Sequence, residues 1–475
     1  MVFSSIAFLF YFLPIVLLLY YTVCRFSIRL RNIFLLAASL FFYGWGEPYY
    51  ILLLIGSCVF NWAVALALSK WRNADRIWLV IGCAGNLGIL FLFKYWNFVI
   101  SVLDDILGFG TGLTLPLALP IGISFFTFQA LSYVIDVYRR TAPVQKNLLN
   151  VTLYISFFPQ LVAGPIVRYC TVEQQIHHRT HTWDLFSSGC VRFVQGLAKK
   201  LILANSFAVI ADNIFSMTNA GHRFMAVPVT LEWLGSFAYT LQIFFDFSAY
   251  SDMAIGLGRM FGFHYHTNFN YPYLAKSVTD FWRRWHISLG SFFRDYVYIP
   301  LGGNRKHQIF NICIVWLLTG LWHGASWNFI LWGVFYGVLL IVEKLGLLKV
   351  LEKIPSFFSH LYLLFITLIG WTIFYTTDLG RLGGYLSVMF GLSGNPLTDT
   401  QLSITFLNRI FWLAAAILFC MPVTQWVKGR LQRLQGEGAQ ALVCVGTALM
   451  NLTLLFVCTS MLVGDSYNPF LYFRF

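Results

Sequence analysis

Uninterrupted apolar runs of about twenty residues recur along this chain, and they constrain its fold more than any other feature. The first runs from Ile6 to Cys24. A run of that length crosses the hydrocarbon core as a helix. Inside lipid the backbone must satisfy its own hydrogen bonds, so only helices and closed barrels can span. Barrel strands would read as short alternations of apolar and polar residues. These runs are long and continuous, so helices are expected. Composition agrees: 58% of the 475 residues are hydrophobic and 11% are charged. That balance excludes a disordered chain, a collagen-like fibre and a secreted disulfide scaffold.

The net charge is +13. In a soluble protein such an excess would point to nucleic acid. Here it reads as cytoplasmic-loop charge under the positive-inside rule, and no nucleic-acid partner is expected. Nine cysteines are scattered without a CxxC pair, so neither a zinc site nor a disulfide framework is expected. The opening run lacks a basic n-region; Arg25, Arg29 and Arg31 follow it instead. It is therefore read as a retained span with its N-terminus outside.

Further spans are expected at Ile33–Gly46, Tyr49–Ser69 and Ile77–Ile100. Ile121–Val137 follows the proline-punctuated stretch Leu115–Pro120 and carries Ser124, Thr127, Gln129 and Ser132, so it reads as broken or partly re-entrant. Asn150–Val167 is interrupted by Pro159, Gly164 and Pro165, and Arg168–Asp184 reads as a polar loop. Later candidates are Phe186–Ile210, Val227–Phe247, Phe310–Trp322, Trp327–Val342, Phe358–Tyr375, Ile404–Val423 and Ala441–Val463. The expected fold is all-α: a polytopic integral membrane protein with roughly ten to twelve transmembrane helices plus re-entrant or interfacial helices. It reads as one transmembrane domain over residues 1–475, with polar motifs at about 120–345.

Three segments carry candidate chemistry. Phe244–Asn270 places Asp246, Ser248, Ser251 and Asp252 in or beside an apolar helix, where ionisable groups are costly and usually face a cavity or a partner. A structural polar cluster is the competing reading. Thr279–His307 mixes aromatics with Arg283, Arg284, Arg294, Arg305 and Lys306, as interfacial segments do. Such a basic patch can also attract a phosphate-bearing donor. Trp316–Gly333 holds His323 between Trp322 and Gly324 in an apolar run. A lone histidine there is often a satisfied core residue, yet an ionisable group at membrane depth is a functional candidate. Neutral imidazole suits general-base work near neutral pH. If the segment is helical throughout, part of the set Ser326, Trp327 and Asn328 shares the His323 face, and Gly324 permits close approach of a substrate or backbone.

Other motifs point away from common chemistries. His177, His178 and His181 lie in the expected polar loop, where solvation is favoured over a metal, and His264 and His266 follow a helix end. No P-loop, HExxH or GxSxG occurs.

At these segments the sequence resembles the membrane-bound O-acyltransferases, and within them the alginate O-acetyltransferase branch. The resemblance rests on MVFSSIAFLFYFLP, LPIGISFFTFQALSYVIDVYR, FFPQLVAGPI, FDFSAYSDMAIGLGRMFGF, FWRRWHISLGSFFRDYVYIPLGGNR, LTGLWHGASWNFILWG and the terminal YNPFLYFRF. Relatives that acetylate peptidoglycan or cellulose are similar. The resemblance implies a helical ring with a thinned centre and a tunnel, where a cytoplasmic donor meets an acceptor from the other face. It implies that His323, in LWHGASW, is the essential histidine and that His286, in WRRWH, is the second family site, held by His or Asn in different branches.

The expected activity is acetyl transfer from acetyl-CoA, a donor substrate rather than a bound cofactor, for O-acetylation of an exported polysaccharide such as alginate. Catalytic roles fall to His323 and His286. Substrate contacts are expected at Trp282, Arg284, Trp285, Asp246, Ser251, Asp252, Trp322, Ser326 and Asn328, with no metal. The expected partners are a periplasmic acetyl-accepting protein, the polysaccharide and membrane lipid, and the expected location is a bacterial inner membrane. A carrier that moves an acyl group or lipid without transferring it shares the hydrophobicity and buried polar groups. A scaffold of an export complex would not need buried acids.

Overall fold

The computed structural model describes residues 1–219, 227–431, 433 and 436–464. The terminal YNPFLYFRF segment lies outside them. Among the described residues the regular structure is all helical, and the protein is an all-α, multi-pass membrane protein. Among the described residues six helices are long and apolar enough to span: Ala7–Phe26, Ile51–Lys70, Arg72–Leu107, Trp183–Met217, Ser356–Tyr375 and Gly438–Gly464. A seventh is counted if Phe406–Phe419 and Val423–Leu431, bent by 65°, form one broken span. This is fewer than the run count suggested, because several runs fold as shorter helices. Gln308–His323 and Trp327–Val342 have 16 residues each.

The chain gathers into two compact units: Met1–Phe193 with Tyr250–Thr267, and Val194–Ala249 with Asn268–Phe475. In the first, helix Ile123–Arg139 packs against Ile51–Lys70 and Asp75–Leu90. The sequence suggested a break here; instead the helix is continuous, and the irregular stretch, residues 108–122, lies before it. The serines of the helix are absorbed within the unit: Ser124 accepts from Lys94 at 3.2 Å. The Ser132 hydroxyl donates to the Gln129 carbonyl at 2.8 Å and lies 3.2 Å from the Tyr154 hydroxyl. Asn61 and Asn86 exchange carboxamide hydrogen bonds at 3.0 and 2.7 Å, joining two apolar helices as polar residues do in lipid.

Two further expectations change in this unit. The stretch read as a polar loop contains helix Tyr169–His177. His181 lies within hydrogen-bonding distance of the Tyr20 hydroxyl, 2.8 Å, and the Arg31 guanidinium, 2.8 Å, rather than standing free in solvent.

In the second unit, Gln308–His323 and Trp327–Val342 form a tight antiparallel hairpin. Glycine sets its spacing. A Cβ on Gly320 would strike the Phe329 carbonyl, and one on Gly333 would sit 2.5 Å from the Trp316 carbonyl oxygen. Gly333 and Gly337 form a GxxxG step that lets the backbones touch. Trp327–Val342 also packs on Ser356–Tyr375, and the short helix Val278–Arg284 contacts both. This corner holds His286 and His323.

Candidate active site

His323 is the last residue of its helix, and Gly324 is already extended. The next helix begins after Ser326. The segment is therefore not one helix, and Ser326, Trp327 and Asn328 do not continue the His323 face. A helix C-terminus presents unpaired carbonyls and favours positive charge, which suits a base that becomes a cation. Four rings surround the imidazole: Trp322 at 4.9 Å, Trp332 at 5.0 Å, Phe374 at 5.0 Å and Phe329 at 6.4 Å between centroids. Three meet it nearly edge to face. The His323 side chain is nonetheless half-buried, not sealed. The missing Cβ of Gly324 is filled by the Phe329 ring, so its smallness serves side-chain packing rather than an approaching backbone.

His286 contrasts with it. The residue is 2% exposed. It links Val278–Arg284 to Ile287–Phe293 in a left-handed conformation, φ 44° and ψ 55°. For a non-glycine residue that costs about 1–3 kcal/mol. Asn268 holds the turn from both its backbone and its side chain. The Asn268 carbonyl accepts from the Ile287 N–H at 2.9 Å, and its Oδ1 accepts from the Ser288 N–H at 3.0 Å. The same Oδ1 lies 3.2 Å from His286 Nδ1. His286 Nε2 is buried without a hydrogen-bond partner. Phe247 packs edge-on against the ring at 4.6 Å. His286 lies outside the candidate spans, and burial lowers its pKa to about 3, so it stays neutral near pH 7.

Both imidazoles touch Trp322: His286 at 5.8 Å and His323 at 4.9 Å between ring centroids. Two histidines 37 positions apart in sequence thus share one indole. Trp282 joins through Trp332, 5.4 Å away, and Trp285 through Phe269, 5.1 Å away. Asn328 is fully buried next to the aromatic cluster. Its amide donates to the Ile373 and Phe374 carbonyls at 3.3 and 3.0 Å, holding the end of helix Ser356–Tyr375 whose Phe374 flanks His323.

Of the remaining expected contacts, Asp246, Arg284 and Asp252 are held in ion pairs, and the buried Ser251 hydroxyl has no hydrogen-bond partner. Asp246 is 2.7 Å from Lys200 Nζ in a pair almost wholly buried. The Arg284 guanidinium pairs with Asp280 at 2.9 Å. Ser326 occupies the cap position of its helix without a side-chain capping bond. Ser251 and Asp252 belong to the first unit, whereas the histidines belong to the second. Asp252 pairs with Arg192 there at 2.8 Å.

Sequence reasoning missed Asn268, Lys200 and Glu343. Glu343 is fully buried. Its carboxylate accepts from the Val278 and Thr279 N–H groups at 2.6 and 2.8 Å and from the Thr279 hydroxyl at 2.7 Å. It thus caps the helix that leads into His286, where negative charge is favoured. An acid directly after the apolar run Trp327–Val342 was the available signal.

Two imidazoles thus meet one aromatic wall within a helical membrane protein. The chain belongs to the membrane-bound O-acyltransferase family, whose model matches residues 89–376. It is an O-acyltransferase. It is 38% identical to a probable alginate O-acetylase of Azotobacter vinelandii over the whole of both chains. It is 43% identical to the corresponding protein of Pseudomonas aeruginosa over 84% of this chain and 76% of the relative. A peptidoglycan O-acetyltransferase of Helicobacter pylori is 34% identical over 86% of this chain and 84% of the relative.

Proposed function

We propose that the protein transfers acetyl from acetyl-CoA, supplied from the cytoplasm, for O-acetylation of an exported polysaccharide in a bacterial inner membrane. Alginate is the favoured polymer, because relatives carrying that name match at 38% and 43% identity, above the 34% of the peptidoglycan enzyme. The immediate acceptor is a hydroxyl on a periplasmic partner that passes the group to the polymer.

His323 acts as general base in this reading. It takes the proton of the acceptor hydroxyl as that oxygen attacks the thioester carbonyl. The C–S bond then breaks, and the imidazolium returns its proton to the departing thiolate, giving an acetyl ester and free CoA. His286 orients the donor. Its low pKa makes it a poor proton relay, but its unpaired Nε2 can accept a hydrogen bond from an N–H or O–H. The carrying observation is the contrast between two imidazoles that share Trp322: His323 keeps accessible surface and His286 does not.

The test is purified protein with acetyl-CoA and its partner. Acceptor-dependent release of CoA with matching acetylation supports transfer. Movement of acyl groups without CoA release would instead establish a carrier. Mass spectrometry of cell glycans with and without the gene identifies the polymer; unchanged alginate acetylation would remove alginate.

A further inference from the structure

We infer that Asn268 is a positioning residue that fixes His286 as the Nδ1–H tautomer, so that Nε2 faces the site as an obligate hydrogen-bond acceptor. The inference rests on the reading that His286 acts in acyl transfer.

The two ends of the Asn268 amide are chemically opposite, one accepting and one donating. The Ser288 backbone N–H can only donate, and it lies 3.0 Å from Asn268 Oδ1. A flipped amide would put two donors face to face. The orientation of Asn268 is therefore set by the backbone. The same oxygen lies 3.2 Å from His286 Nδ1, and the Ser288 hydroxyl oxygen lies 3.4 Å from it; the hydroxyl can accept or donate but the amide oxygen can only accept, so a proton on Nδ1 is the arrangement that satisfies both. With Nδ1 protonated, a neutral ring has its lone pair on Nε2. That atom is buried and without a partner. A buried polar atom left unpaired costs free energy, so its persistence marks a place for a ligand donor.

Asn268 is 1% exposed, so water does not compete for its oxygen. The left-handed turn at His286 is tied by the Asn268 carbonyl as well, so the ring and its partner move together. No charged group accounts for the lowered pKa of His286; burial does. Charged side chains on neighbouring elements are engaged: Arg284 with Asp280, and Asp246 with Lys200. His323, which shares Trp322, is the titratable neighbour of the pair.

The experiment compares pH–rate profiles of acyl transfer for wild type, Asn268→Asp, Asn268→Leu and His286→Ala in detergent. Folding of each is checked by thermal melting. Aspartate keeps an oxygen for the Ser288 N–H and for Nδ1–H, but its charge favours the imidazolium. The pKa of His286 therefore rises, and below it Nε2 becomes a donor instead of an acceptor. Asn268→Asp should show a new acidic limb nearer neutrality, with activity returning toward wild type at higher pH. Asn268→Leu should lose at least roughly tenfold in kcat across the range, with no new limb. A folded Asn268→Asp protein with the wild-type profile, or one inactive at every pH like Asn268→Leu, overturns the inference. Unchanged activity in His286→Ala overturns the parent reading instead, so the two failures are distinct.

Discussion

Gly320 and Gly333 face each other across the hairpin that carries His323: a Cβ built on either would sit 3.3 Å from the Cα of the other. Backbone thus meets backbone one turn before the histidine, and the hairpin crossing fixes the height of the imidazole against Trp332 and Phe374. Gly333→Ala should therefore destabilise the protein by about 1–3 kcal/mol through overpacking. Gly446→Ala, at a site with open space around it, should not. Thermal melting in detergent compares them; equal melting temperatures would show that the crossing tolerates a methyl group.

Glu343 holds the start of the helix leading to His286. Glu343→Ala leaves the Val278 and Thr279 N–H groups without their acceptor. Each buried unpaired donor costs about 1–3 kcal/mol. Glu343→Gln keeps one carbonyl oxygen and should recover part of the loss. The check is melting temperature together with transfer rate; an alanine variant as stable and active as wild type would leave Glu343 without this role.

The Lys200–Asp246 pair separates structure from substrate contact. Removing one charge, as in Lys200→Met or Asp246→Leu, leaves the other buried and should cost about 3–5 kcal/mol. The double variant should regain much of that stability. If Asp246 is structural, the double variant also transfers acetyl. A stable but inactive double variant would return Asp246 to the substrate site, as the sequence suggested.

These residues show what was legible in the sequence. The apolar runs imply helices because lipid leaves the backbone no other partner, and His323 stands out because little else in its run can ionise. Glu343 and Lys200 obey the same logic and could have been found by it. Asn268 could not. Its contact with His286 spans 18 positions and depends on a turn with positive φ, which no local periodicity encodes. The break expected in Ile121–Val137 failed for a related reason. Polar residues suggested an interruption, but Ser132 donates to an intrahelical carbonyl and Ser124 accepts from Lys94, so the helix runs on.

The central claim is that His323 removes a proton from the acceptor. The most direct measurement is CoA release from acetyl-CoA by purified His323→Ala, with partner and acceptor present, at equal folded protein. The account predicts a fall of roughly 10²–10⁴-fold relative to wild type, the range a positioned general base supplies. Turnover at the wild-type rate would contradict it.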